Sequence, residues 1–437
     1  MTKHLVVEFM SDEMPSRPVR GRSAKQNRSQ ETRERIAAAA VDLIAENGIS
    51  GFTHRDVAER AGVSLAATTY YFAGKFDIVA EASNTNLRRY TEAISRVPRR
   101  FSPTLSHIAA FREFAFRLIR NAAGRHRAGQ LAWAEISIDA VRHPESLALA
   151  QEWTDHIFRL WSGIAMELGV DHPEQAARST IDTVIGLLFV TLALNLGTAE
   201  IDAIRSGEAN PLEDWPDCFP ISDFQNHLDG KGGRKAVQTR QKIIDAAIDI
   251  LIVEGPGAVN FRQISKRAGL TPAAATYHFK TVDDLLQVAQ KQLFAESKDR
   301  YRAGVSGGGQ RHGDMDQLVD LTAVVFQREA TEQGRRSLAT FAIWLEAARR
   351  PELRPMVWRA ISDQSLAWQR LLDPLSLAPS PTRGLLAQAV FVGKLVRILS
   401  TGALTADLAK VRREFAEDLS ALADGTFWAI SKNGTNI

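Results

Sequence analysis

Cysteine is almost absent. Cys218 is the only one in 437 residues, which excludes an internal disulfide framework and any zinc site built on several thiolates. Long apolar runs are missing too: the longest uncharged stretch, Thr183 to Ala199, falls short of the roughly 20 residues that span a bilayer, and it reads as a buried helix. The N-terminus carries Glu8, Asp12 and Glu13 and no apolar segment ahead of a cleavage site, so no secretory signal is expected and the cytoplasm is the expected location. No phosphate-cradling glycine loop, nucleophile elbow or metal-spaced cluster of His, Asp and Glu occurs, and the ten histidines are scattered. Asp139 and His143 stand just before Pro144 and read as helix-end residues rather than a catalytic pair. An enzyme is therefore not expected, and no catalytic residue, metal or cofactor is predicted. Alternating runs of β-branched residues are also lacking, which leaves an all-α chain.

What is present is an ordinary balance for a folded protein, 45% apolar and 24% charged residues, over a length that suits two to four domains. The net charge of +3 announces no partner, but its distribution is uneven. Arg17, Arg20, Arg22, Lys25 and Arg28 follow one another with no acidic residue between them, and Lys231, Arg234, Lys235, Arg240 and Lys242 form a second cluster past the midpoint. Each cluster leads into a helical pattern.

The second thing present is the same unit written twice. A shift of 207 positions superimposes residues 32–82 on residues 239–289 without a gap, pairing Thr32 with Thr239, Arg33 with Arg240, Gly48 with Gly255, Gly62 with Gly269 and Phe72 with Phe279. The shift still holds downstream, where Arg142, Pro144 and Trp161 fall on Arg349, Pro351 and Trp368. A phase kept over that distance means two copies of a domain of about 200 residues, since a solenoid repeats every 20–50. Between the copies, residues 206–238 collect Gly207, Pro211, Pro216, Pro220, Gly230, Gly232 and Gly233, a composition that suits a linker. The expected domains are a basic flexible arm (1–31), a head (32–82), a helical part (83–205), the linker, a second head (239–289) and a second helical part (290–430).

Within each head the signals describe a helix-turn-helix. Ile36, Ala40, Leu43 and Ile44 share one stripe and Gly48 stops the helix. Thr53 is a good N-cap for a short helix to Ala61, Gly62 supplies the turn, and Ser64 caps the next helix, which Phe72 ends. The second copy repeats the plan with Asn260, Gly269 and Thr271-Pro272.

The run Thr32-Arg33, Gly48, Thr53, Val57-Ala58, Ala61-Gly62-Val63-Ser64, Tyr70-Tyr71-Phe72 and Lys75, with its second occurrence from Thr239-Arg240 to Tyr277-His278-Phe279, resembles the tetracycline-repressor (TetR) family of bacterial regulators. The resemblance covers about 50 residues, twice. It departs at Thr69 and Thr276, where the family often has tyrosine, and at Val282, which replaces the lysine matched by Lys75. It implies a DNA-binding transcriptional regulator, a repressor in the first instance, whose second helix enters the major groove. The implied readers are Ser64, Leu65, Ala66, Thr68, Thr69 and Tyr70, and Thr271, Ala273, Ala274, Thr276 and Tyr277. Thr32, Arg33, Thr53, Arg55, Tyr71 and Lys75, with Thr239, Arg240, Asn260, Arg262, His278 and Lys280, would anchor the phosphate backbone. Neither reading helix carries arginine, so bidentate guanine contacts are not expected from it. Residues 32–82 hold five basic and seven acidic side chains, so the basic arm is left to supply the attraction.

The parts behind the heads would, on the same resemblance, pair two subunits and hold a small apolar effector. Pairing helices are expected near 147–168 and 174–197, and near 354–373 and 382–402. Phe116, Trp133 and Ile136, and Phe341, Trp344 and Trp368, are candidate pocket walls. With both copies in one chain, an intramolecular pseudo-dimer reading an asymmetric operator is expected. The alternatives are a homodimer of chains and a scaffold whose heads no longer bind DNA.

Overall fold

The computed structural model describes residues 20–97, 106–213, 233–306, 314–402 and 405–425. Every regular element among them is helical. The first half holds α1 (Arg20–Asn47), α2 (His54–Ala61), α3 (Leu65–Tyr71), α4 (Lys75–Ser95), α5 (His107–Ala123), α6 (Arg127–Asp139), α7 (Pro144–Glu167), α8 (Pro173–Leu194) and α9 (Thr198–Ser206). The second holds α10 (Arg234–Val253), α11 (Phe261–Ala268), α12 (Pro272–His278), α13 (Val282–Ser306), α14 (Met315–Thr331), α15 (Gly334–Arg349), α16 (Arg354–Leu372), α17 (Arg383–Thr401) and α18 (Thr405–Ala423). The 207-residue shift pairs these helices one to one.

Two expected boundaries move. The first helix extends back to Arg20, so Arg20, Arg22, Lys25 and Arg28 belong to its first turns rather than to a flexible arm; Arg17 lies outside the described residues. The second head's helix begins at Arg234, which takes 234–238 out of the expected linker, and 214–232 lie outside the described residues. The reason is the same in both places. Polar residues without apolar periodicity leave no stripe in the sequence, yet they continue a helix that a buried segment has already nucleated.

The halves are joined by α8 crossing α17. Both are long and apolar enough to cross a membrane, but 89% of the apolar window of each is buried inside the protein. The crossing is close because each helix offers a glycine at the contact. A Cβ on Gly186 would lie 1.9 Å from the Ala389 carbonyl oxygen, and one on Gly393 would lie 1.7 Å from that of Asp182. Gly186 and Gly393 are 207 apart, as are Asp182 and Ala389, so the contact is pseudo-twofold: the halves form an intramolecular pseudo-dimer.

Side chains break that symmetry. Asp182, fully buried on α8, takes the Lys394 ammonium at 2.8 Å and the Arg397 guanidinium at 2.6 Å, both from α17. Lys394 also meets Glu414 at 2.7 Å and Asp418 at 3.7 Å on α18. Burial alone would raise the Asp182 carboxyl, but Arg397 and Lys394 overrule it and hold it below the usual range. Burial pushes Asp418 up to about 6, against Lys394 and the Ser179 hydroxyl that donates to it. In the other sense of the pseudo-dyad the equivalent positions are Ala389, Leu187 and Val190, so this network exists once.

Gly186→Ala should destabilise the protein by on the order of 1–3 kcal/mol through overpacking. Gly163→Ala, where a Cβ meets nothing within 4 Å, should instead stabilise helix α7 by about 0.5–1 kcal/mol. Urea unfolding of the two variants reads both, and equal effects would contradict the close crossing. A carboxyl whose folded pKa is raised contributes stability that is full below its unfolded pKa and is lost as pH rises through the folded one. Asp418→Asn should therefore gain stability over the parent as pH climbs from about 4 through about 6 and keep the gain at pH 8, measured as urea midpoints across that range.

Candidate nucleic-acid interface

Each head is set up by its helix ends. In the first, Thr53 accepts the Asp56 N–H while the Asp56 carboxylate accepts the Thr53 N–H at 2.7 Å, a reciprocal cap that starts α2. Gly62, with φ +62, turns the chain. Arg35 donates to the carbonyls of Ala61 and Gly62 at 2.9 and 2.8 Å, which ties the end of α2 to α1. Ser64 caps α3 by accepting the Ala67 N–H at 3.1 Å. The second head has Asn260 accepting from Gln263 N–H at 2.9 Å, Gly269 at φ +66, and Thr271 accepting from Ala274 N–H at 3.3 Å.

These caps leave one face of α3 and of α12 open. Tyr70 is 82% exposed and Tyr277 84%, the two most exposed aromatic side chains on these helices. Leu65 and Ala66, with Thr69, lie on the open face of α3, and Ala273 and Thr276 on that of α12, with Ala274 half-buried. Tyr71 packs edge-on to Tyr70 at 5.1 Å between centroids, and His278 to Tyr277 at 5.3 Å. Burial, and then Arg240, lower the His278 pKa, so it is neutral near pH 7.

Thr68 does not fit the expectation. Its side chain is fully buried and its hydroxyl donates to the Leu65 carbonyl at 2.8 Å, so it packs inward where Ala275 packs in the second head. A seven-residue helix has one inward position per turn, and Thr68 occupies it.

The expected anchors divide. Thr53, Arg55, Asn260, Arg262 and Lys280 are exposed around the open face. Arg33 is held by Glu81 at 2.7 Å beside the Phe72 ring, and Arg240 lies over the Phe279 ring at 5.0 Å. Thr32 and Thr239 turn their hydroxyls back onto the Arg28 and Lys235 carbonyls. Lys75 rests over the Phe52 ring at 4.5 Å and donates to the Ser50 carbonyl at 3.3 Å; partial burial lowers its pKa.

Behind the heads, each half holds a cavity between its helices. In the second, a cavity of about 150 Å³ is walled by Phe341, Trp344, Trp368 and Phe391. The Trp344 indole N–H and the Gln388 amide oxygen in its wall are buried and without hydrogen-bond partners. Glu329, also in the wall, is already paired with Arg300 at 2.9 Å and with the Ser337 hydroxyl at 2.7 Å. In the first half a cavity of about 50 Å³ lies beside Trp133, Trp153 and Trp161. Here Trp161 donates to the Tyr90 hydroxyl at 3.0 Å and Trp153 to Ser83 at 2.9 Å. Phe116 and Ile136 line neither cavity. Phe116 is core, and Ile136 packs into the first head with Ile36 and Ala40. Among the described residues, no group of three or more His, Cys, Asp or Glu could hold a metal ion.

Comparison with known families is consistent with this layout. The model described as "Bacterial regulatory proteins, tetR family" matches residues 36–82 and again 243–289. The model "Tetracyclin repressor-like, C-terminal domain" matches 106–207 and 313–425. Together these take in well over half of the chain. Among curated relatives, the HTH-type transcriptional regulator SrpR of Pseudomonas putida is 37% identical over 57 residues, 13% of this chain and 27% of SrpR. AcrR of Shigella flexneri is 28% identical over 112 residues, 25% of this chain and 49% of AcrR. The chain thus spans half or less of the length of these relatives. Among solved structures, the multidrug binding protein EbrR is 24% identical with a TM-score of 0.34, over 42% of this chain and 94% of EbrR. A transcriptional regulator from Rhodococcus sp. Rha1 is 18% identical with a TM-score of 0.38, over 43% of this chain and 97% of its own.

The caps carry a prediction of their own. Thr53→Ala removes the side-chain half of the reciprocal cap and should cost about 1 kcal/mol of stability, as N-cap losses do. A thermal unfolding scan checks it, and an unchanged midpoint would mean that α2 is held by its packing alone.

Proposed function

The chain belongs to the tetR family of bacterial regulatory proteins and carries both of the family's domains twice, and from that premise we propose that a single chain acts as a ligand-responsive repressor reading two unlike half-sites. DNA-binding regulation is the family's activity, exercised in the cytoplasm. What supports the finer reading is the pair of open faces on α3 and α12, held in one rigid pseudo-dimer by the α8–α17 crossing.

The faces differ in chemistry. Leu65, Ala66, Thr69 and Tyr70 offer methyl and hydroxyl groups; Ala273, Thr276 and Tyr277 offer fewer apolar atoms at the helix start, where Pro272 stands in place of Leu65. Thymine methyl contacts, hydroxyl hydrogen bonds and tyrosine–phosphate bonds carry recognition, with Arg55, Arg262 and Lys280 at the backbone. Unlike faces in a fixed one-to-one ratio suit an asymmetric operator, with half-sites one helical turn, about 34–36 Å, apart or a multiple of it.

The effector reading rests on the larger cavity. Aromatic walls select a planar, apolar molecule. The unpartnered Trp344 N–H asks for an acceptor on it and the Gln388 oxygen for a donor. Glu329 already has the Arg300 guanidinium as its counter-ion, so the ligand is neutral. Binding would shift the helices to an arrangement that no longer matches the groove spacing.

Selection of duplexes from a random pool, followed by footprinting with the chains per site counted, tests the proposal. One chain covering two unlike half-sites is expected, with log affinity falling linearly in log salt. Tyr70→Ala should cost about tenfold, as losing one hydrogen bond to a charged acceptor does, and should fade one half-site; Tyr277→Ala should fade the other. Two chains on a palindrome, or no protected DNA at all, would refute it.

A further inference from the structure

Arg142 follows α6 and Arg349 ends α15, two positions related by the 207-residue shift. Each crosses to the other half. Arg349 reaches into the first head and donates from Nε to the Ala45 carbonyl at 2.7 Å and from Nη2 to the Ile44 carbonyl at 3.1 Å. Arg142 reaches into the second head and donates from Nε to the Ile252 carbonyl at 3.3 Å and from Nη2 to the Leu251 carbonyl at 2.9 Å. Ile44 and Ala45 correspond to Leu251 and Ile252 under the same shift, so the exchange is reciprocal.

These carbonyls lie in the last turn of α1 and of α10, where a cation is favoured, and the Ile44 carbonyl also accepts the Gly48 N–H at 2.9 Å. Immediately beyond, Gly48 (φ +70) and Gly255 (φ +85) swing the chain toward the helix-turn-helix. The two guanidinium groups, 9% and 6% exposed, therefore sit at the hinge between each head's first helix and its reading pair. The heads also meet directly there: a Cβ on Gly257 would fall 2.1 Å from the Ser50 hydroxyl.

We infer that Arg142 and Arg349 are positioning residues for the opposite head, so that the regulatory helices of each half set the aim of the other half's reading helix. The inference rests on the heads being the DNA readers. It couples regulation across the halves. Ser337, Thr340, Phe341 and Trp344 put one face of α15 in the wall of the larger cavity, and Arg349 is the last residue of that helix. α15 packs on α10 in its own half, and through Arg349 a shift of α15 reaches α1 in the first head as well. The two clamps are also unequal: Arg349 is fixed by Glu135 at 2.7 Å and Glu346 at 3.0 Å, whereas Arg142 has Asp139 at 4.0 Å.

Hydrogen exchange on the full-length protein tests the wiring without DNA. Arg349→Met should speed amide exchange across residues 44–62 by about tenfold, the size of a lost charge-assisted hydrogen bond, and leave 251–269 at the parent's rate. Arg142→Met should do the reverse, and Arg349→Lys should recover part of the protection by donating to one carbonyl. Arg349→Gln, shorter but still an amide donor, should speed exchange in the first head to a smaller degree and leave the second head unchanged; it serves if Arg349→Met fails to fold. Faster exchange in the head of the same half, or equally in both heads, overturns the inference. The exchange pattern holding while no DNA is protected would sink the regulator reading and leave the cross-half clamp standing.

Discussion

The close crossing of α8 over α17 is the constraint on which everything else rests. Gly186 and Gly393 bring two backbones nearer than any side chain would allow, and the heads are placed relative to each other by that contact. The buried network around Asp182, Lys394 and Arg397 adds little net stability, because desolvating five charged groups offsets most of what their attraction returns. Its effect is on register. Sliding or rotating one helix on the other would leave a buried ion without its partner, which costs several kcal/mol. Packing sets how close the halves come, and charge sets how they are aligned.

From that seam the order reaches outward through two helices with double duty. Every residue from Leu131 to Ala140 is buried, because α6 packs on the first head with one face and on the bundle with the other. α15 is buried in the same way and also walls the larger cavity. A helix enclosed on all sides moves as a rod rather than bending, which is how a change at a cavity becomes a change at a helix end.

Much of this was legible in the sequence, and where it was not the cause is physical. The repeat, the helix ends and the turn glycines each leave a local signal, since a cap or a positive φ restricts the residue at one position. Tyr70 and Tyr277 could be placed on the open faces from the same signals. The inward turn of Thr68 and the packing of Ile136 on the first head rather than on a cavity are not legible there. A helix of seven residues and a helix buried all round both lack the polar stripe by which periodicity tells inside from outside. The shift that paired Arg142 with Arg349 was visible too, but not that each crosses to the other half: an arginine on a solvated face and one that caps a distant helix read alike until the fold joins them. Trp344 and Gln388 are legible only as a cavity wall, because an unpaired polar atom is defined by its neighbours.

The one-sided network around Asp182 also bears on inheritance. Pairing two first halves would set Asp182 against Leu187 and Val190, and pairing two second halves would set Lys394 and Arg397 against Ala389. The first arrangement buries Asp182 without a counter-ion, and the second leaves Lys394 and Arg397 with only the Glu414 and Asp418 of their own half. The two copies can therefore no longer be exchanged for one another, and a return to a symmetric dimer would need several coordinated substitutions. In a symmetric dimer each new mutation is met twice, once per subunit. Here it is met once, so one half can drift toward a new target while its sister keeps the old one.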